Sequence, residues 1–139
     1  MKKFVLDASV TLAWFVDSSV APLALHVQTS LLQGGRAIVP HLWRPEVANG
    51  FVIAQKRGII SAGKTIEALA ELDILLAQSI EPVSFDLSIE RIVTAAQQFA
   101  LTAYDAIYLE TARTMQLPLA TLDRRLGAAA RQAGVSLIA

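Results

Sequence analysis

At 139 residues without cysteine, the chain has the length of one domain and can hold no disulfide, no thiolate metal site and no thiol nucleophile. Lys plus Arg and Asp plus Glu number 12 each, which excludes a global positive field that would draw nucleic acid in from a distance. Apolar residues make up 54%, which excludes a disordered chain and hints at a buried partner surface.

Met1-Lys2-Lys3 precedes too few apolar residues for a signal peptide, and no run approaches the roughly 18 residues of a membrane span. The expectation is a soluble, cytoplasmic protein with no membrane partner. Phe4-Val5-Leu6 reads as a first buried strand ending at Asp7-Ala8-Ser9. Helical spacing follows over Ser19 to Leu32, then a strand at Ala37-Ile38-Val39, then helices over His41 to Lys56 and Ser61 to Gln78. A third strand is predicted at Pro82-Val83-Ser84, helices over Leu87 to Phe99 and Ala103 to Met115, and a fourth strand over Leu117 to Ala120. Arg124 to Gln132 reads as a last helix and Val135 to Ile138 as a fifth strand, with Gly34-Gly35, Gly58 and Gly134 marking element ends.

Strands alternating with helices require a mostly parallel sheet covered on both faces, because each crossover must be right-handed and return over the sheet. The predicted fold is a three-layer α/β/α sandwich with a five-stranded sheet, one unit over residues 1–139, with residues 40–78 inserted as a helical hairpin. Ile66, Leu69, Leu72, Leu75 and Leu76 on that hairpin offer an apolar surface for a homodimer.

Four acids stand where strands end or helices begin: Asp7, Glu46, Asp105 and Asp123. Each has a local explanation. Asp7 can cap a short helix starting near Ser9, Glu46 after Pro45 is a first-turn acid, Thr102 to Asp105 fits a capping box, and Asp123 can cap the last helix. Yet in an open parallel sheet the strand ends and the following helix starts share one edge, where ligands bind, so these local readings themselves bring the acids together. Clustered carboxylates repel unless protonated or bound to cations, and an all-oxygen set suits Mg²⁺ or Mn²⁺. One or two such ions on a phosphate promote in-line phosphodiester hydrolysis. Ser9 and Thr121 place hydroxyls two residues from Asp7 and Asp123 as supporting groups, or serve as turn caps.

Val5 to Ser9, Val39 to Trp43 running into Pro45 to Asn49, Leu101 to Tyr108, and Thr121 to Leu126 together resemble the ordered motifs of PIN-domain nucleases, most nearly the VapC toxins of type II toxin–antitoxin pairs. The resemblance covers nearly the whole chain. It implies Asp7, Glu46, Asp105 and Asp123 as catalytic metal ligands for Mg²⁺ or Mn²⁺, an endoribonuclease leaving 5′-phosphates on its RNA substrate, a VapB-like antitoxin partner and a homodimer. A neutral chain acting on RNA needs local cations, for which Arg44, Lys56, Arg57, Arg124 and Arg125 are candidates at the rim, although each also reads as part of a solvated helix face.

His26 and His41 have no partner at ligand spacing and carry no assigned chemistry. An aspartyl-phosphate phosphatase would want an acid two residues after Asp7, where Ser9 stands, and a receiver domain a late lysine, where none follows Lys64. Neither Gly-x-Gly-x-x-Gly nor a P-loop occurs. Trp14, Phe15, Trp43 and Phe51 read as core. The alternative function is a protein-binding module whose acidic edge is filled by a partner, with little or no nuclease activity.

Overall fold

The computed structural model describes residues 2–17 and 19–139, so Met1, the first residue of the unit read as 1–139, lies outside it. The elements are β1 (Lys3–Leu6), α1 (Ala8–Val16), α2 (Pro22–Leu32), β2 (Arg36–Val39), α3 (Trp43–Lys56), α4 (Ala62–Gln78), β3 (Ile80–Pro82), α5 (Ile89–Phe99), α6 (Ala103–Met115), β4 (Leu119–Ala120) and α7 (Arg124–Gln132).

The strands form a parallel sheet in the order β3-β2-β1-β4. Central β1 explains why Phe4-Val5-Leu6 is a continuous apolar run with no exposed residue: it has a strand on either side and helices over both faces. From β1 the chain steps outward to β2 and β3, then returns past β1 to β4. With right-handed crossovers, this reversal puts α5 and α6 on the face opposite α1 to α4. Accordingly α1 packs on α2 and α3, whereas α6 packs on α5 and α7. The reversal also opens a crevice between the carboxyl ends of β1 and β4, the topological switch point of such a sheet.

Three contacts set α1 against its neighbours. A Cβ on Gly50 would collide with the Leu12 side chain, so glycine lets α3 approach α1. The buried Trp43 indole donates to Thr11 Oγ1 at 3.3 Å, and the Trp14 indole to the Ala24 carbonyl at 2.7 Å. Trp14, Trp43 and Phe51 are core residues and Phe15 packs against the core, as the sequence predicts.

The sheet has four strands rather than five. Predicted strand Val135 to Ile138 contributes one bridge, Leu137 to Leu119, because β4 is itself only two residues long and Leu119 alone turns its N–H and carbonyl toward that segment. The third strand lies at Ile80–Pro82, two residues earlier than predicted, and the ladder ends where Val83 N–H donates to the Val39 carbonyl. Between α1 and β1 there is only Asp7; the nine-residue α1 was foreshadowed by the capping position alone.

The hairpin of α3 and α4 is present between β2 and β3. Its predicted apolar face needs correction: Leu72 and Leu75 turn into the core, Leu76 packs against it, and the exposed apolar residues there are Val52, Ile53, Ile59, Ile66, Leu69 and Ile74. Among the described residues no helix is long and apolar enough to cross a membrane.

Candidate active site

Asp7 ends β1 and precedes α1 as its N-cap residue, but its side chain makes no capping bond. The carboxylate instead accepts, on Oδ2, hydroxyl bonds from Ser9 at 2.7 Å and Thr121 at 2.6 Å. These hydroxyls are themselves acceptors: Ser9 Oγ from the Leu122 amide at 3.1 Å, Thr121 Oγ1 from the Asp123 amide at 3.0 Å. Two residues on either side of the crevice thus stitch the end of β1 to the turn after β4, and that turn carries Asp123. The sequence named Ser9 and Thr121 as supporting groups or caps; the structure has them bonding Asp7.

Asp123 does cap α7, Oδ1 accepting from the Leu126 amide at 2.9 Å. Asp105 lies in the first turn of α6, whose cap is Thr102, accepting from the Asp105 amide at 3.1 Å. Glu46 lies in the first turn of α3. Its Oε1 accepts from the Tyr108 hydroxyl at 2.6 Å. Helix α6 runs antiparallel to the strands, so its first turn, like those of α3 and α7, meets the carboxyl edge of the sheet.

The electrostatics show that the four acids share this edge. Burial raises the proton affinity of Asp7 most, the hydroxyls of Thr121 and Ser9 oppose it, and the charge of Asp123 adds to it. Glu46 is raised by burial, against the Tyr108 bond, and by the charges of Asp7 and Asp105. Asp105 is raised by burial and by Asp123 and Asp7, with Thr102 and the cation of Arg125 opposing. Asp7, Glu46 and Asp105 therefore each feel at least one other acid, which independent caps would not.

Tyr108 is the residue that sequence reasoning missed. Fully buried, it has its phenol proton held strongly, first by burial and then by the bond to Glu46. Its position three residues after Asp105 puts both on one side of α6, the only hint the sequence carried.

Of the basic candidates, Arg125 reaches Asp105 electrostatically. Arg44 is exposed in the first turn of α3, and Arg124 is exposed as the first residue of α7. Lys56 and Arg57 must be set apart from the site: they stand at the far end of α3, about 15 Å along the axis from Glu46. The two histidines are also elsewhere, His26 near Lys2 and His41 3.7 Å from Asp86.

A hard divalent cation suits this donor set by chemistry: all oxygen, partly desolvated, and mutually repelling until neutralised. Asp7 takes both side-chain bonds on one oxygen, and Glu46 takes its one on Oε1. Among the described residues, no three acidic or imidazole groups are already drawn into a ready ligand set.

Four acids at the carboxyl edge of a parallel sheet covered by helices define an α/β protein of the open-sheet class, with an acidic switch point. The chain belongs to the PIN domain family, whose model matches residues 4–132, and PIN domains are in general metal-dependent nucleases. Similar solved structures share its fold. PAE2754 from Pyrobaculum aerophilum is 23% identical, with a TM-score of 0.67 over 92% of this chain and 84% of that one. FitAcB from Neisseria gonorrhoeae is 19% identical, with a TM-score of 0.63 over 98% and 96%. A domain of a functionally unknown protein from Methanocaldococcus jannaschii DSM 2661 is 20% identical, with a TM-score of 0.59 over 99% and 89%. A comparison with curated proteins finds no match.

Proposed function

We propose that this chain is one PIN unit acting as a divalent-metal-dependent endoribonuclease, with Asp7, Glu46, Asp105 and Asp123 as the ligands of Mg²⁺ or Mn²⁺. The observation that supports this reading is that Asp7, Glu46 and Asp105 each have their proton affinity raised by the charge of another of the four acids at the same sheet edge. When bound, the metal supplies an activated water and charge stabilisation for the leaving oxygen. The chain's own part is to hold the carboxylates in place. Ser9 and Thr121 fix Asp7, Tyr108 fixes Glu46, and the α7 cap fixes Asp123. Arg44, Arg124 and Arg125 are proposed to meet the flanking phosphates of RNA.

The VapC-like motifs support a toxin role in the cytoplasm, with a VapB-like antitoxin as partner and a homodimer through the exposed apolar residues of the hairpin. An antitoxin cation seated among the acids would relieve their repulsion, so silent and active states share one site. The alternative, a binding module with no activity, rests on the same charge cluster. Incubating the purified chain with single-stranded RNA in Mn²⁺, Mg²⁺ or EDTA separates the two. Metal-dependent cutting that Asp105→Asn abolishes supports the nuclease; no cutting by the antitoxin-free chain in either metal overturns it.

A further inference from the structure

Behind the first turns of α3 and α6 lies a pocket of about 240 Å³, a second concavity on the same edge as the acids. Leu42, Val83, Phe85, Ile92 and Ile107 wall it. Two of these walls come from the elements that carry the acids: Leu42 caps α3, accepting the Glu46 amide on its carbonyl, and Ile107 is on α6, on a different side from Asp105. His41 and Asp86 stand at the rim, side chains 60% and 92% exposed and 3.7 Å apart. Asp86 is the one carboxylate lining it, and the remaining hydroxyl, Thr111, is already bonded to the Ile107 carbonyl at 2.7 Å.

We infer that this pocket is a nucleobase subsite, taking one unpaired guanine next to the phosphodiester held at the acids; the inference rests on the ribonuclease reading above. Sequence-selective RNA recognition works on splayed single-stranded bases, stacked on aromatic or histidine rings and bonded along their Watson–Crick edges. An apolar slot with Phe85 in its wall and His41 at its mouth provides the stacking surfaces. The rim decides the base. A carboxylate only accepts hydrogen bonds, and of the four bases guanine alone presents two adjacent donors, N1–H and the exocyclic amine, to a single carboxylate. Adenine, cytosine and uracil would each leave an acceptor facing Asp86. A protein with no net positive charge gains little from phosphates at long range, so a base pocket beside the site is where it can gain selectivity.

Two measurements test this. Nuclear magnetic resonance titration in EDTA, with guanosine against adenosine, cytidine and uridine, reads the subsite without cleavage. The Ile92 and Ile107 methyl signals should move with guanosine, and in Ile92→Trp, which fills the slot, the Ile107 signal should not. Sequencing of cleavage sites in a randomised single-stranded RNA should show guanine enriched at one position flanking the cut. Asp86→Asn, a change at an exposed side chain, should reduce that enrichment about tenfold. Guanosine binding in a protein that cuts no RNA would keep the subsite and sink the ribonuclease reading instead. Cutting without base bias, an unchanged bias in Asp86→Asn, or methyl signals that respond to no nucleoside would each overturn the subsite. Methyl shifts induced only by an antitoxin peptide would reassign the pocket to that partner.

Discussion

Replacing Asp7 by asparagine should raise the melting temperature of the metal-free protein while destroying its activity. The residue is 6% exposed, and burial followed by the charge of Asp123 raises its proton affinity. Both hydroxyl donors meet a single carboxylate oxygen, which an amide oxygen can replace. Asparagine also serves as well as aspartate at a helix N-cap, so little is lost at the start of α1. Carboxylates roughly 8 Å apart repel by about 2 kcal/mol gross at an effective dielectric of about 20. Weaker bonds from the hydroxyls to a neutral amide offset part of the relief, leaving a net gain of about 1 kcal/mol, or about 3–4 °C in a chain of this size. The pH dependence follows from the direction of the shift. Because the folded carboxyl holds its proton more tightly than the unfolded one, the penalty is absent below the unfolded pKa of 3.8 and grows as pH rises through the folded value. In EDTA the parent should therefore gain relative stability as pH falls through the folded value toward 3.8, and Asp7→Asn should flatten that slope. Mn²⁺ at about one hundred times its Kd stabilises the parent by about 2.7 kcal/mol and reverses the ranking. Scanning fluorimetry across pH, in EDTA and in Mn²⁺, reads all of this. Equal melting curves for the two proteins under every condition would refute the reasoning and leave Asp7 as a structural residue.

Asp105→Asn should abolish Mn²⁺-dependent cleavage and leave the circular dichroism spectrum unchanged, since Thr102 caps α6 and the amide is a poor ligand for a hard cation; parental cutting rates would remove Asp105 from the site. Tyr108→Phe deletes the 2.6 Å bond to Glu46 and should weaken Mn²⁺ binding roughly 10- to 100-fold by calorimetry while costing about 1 kcal/mol of stability. An unchanged Mn²⁺ affinity would make the phenol a core residue only. Glu110, buried on α6, bonds Arg91 of α5 at 3.0 Å and Arg113 at 2.9 Å. Chemical denaturation of the double variant Arg91→Met, Arg113→Met should show a loss of about 3 kcal/mol, because it strands a buried carboxylate. A loss below about 1 kcal/mol would mean that water already solvates it. Light scattering should give a dimer at micromolar concentration, and a monomer after Ile66→Lys with Leu69→Lys; a monomeric parent would discard the hairpin as an interface.

The acids were legible because each carries a local mark, a cap or a first-turn charge, and parallel topology converts local marks of that kind into one shared edge. The groups that hold those acids were less so. Ser9 and Thr121 were named with two meanings, and only the pairing of β1 with β4 decides between them by setting both hydroxyls on Asp7. Tyr108 reads as one more core aromatic until α6 is placed against β1. The ends of α5 and α6 at Phe99 and Met115 fall where the helical spacing stops, but the left-handed backbone at φ 54° that ends them, on Ala100 and Gln116, is announced by nothing in those residue types. Lys56 and Arg57 failed for a different reason. They follow Glu46 closely in sequence, but a rigid helix turns ten residues into about 15 Å.

Net neutrality, which first argued against nucleic acid, takes another meaning once the acids are placed. Twelve acidic residues less the four at the crevice leave eight against twelve Lys and Arg, so the rest of the chain carries a surplus of four positive charges. Four of the negative charges are thus gathered at one sheet edge, where divalent ions would cancel them, and the positive charge is spread over the rest of the chain, with Arg125 close enough to Asp105 to lower its proton affinity. On the proposed nuclease reading, metal and RNA would be linked partners: loading the acids would convert an edge that repels phosphate into one that accepts it, and an antitoxin's cation would compete for the metal's place rather than for the RNA's.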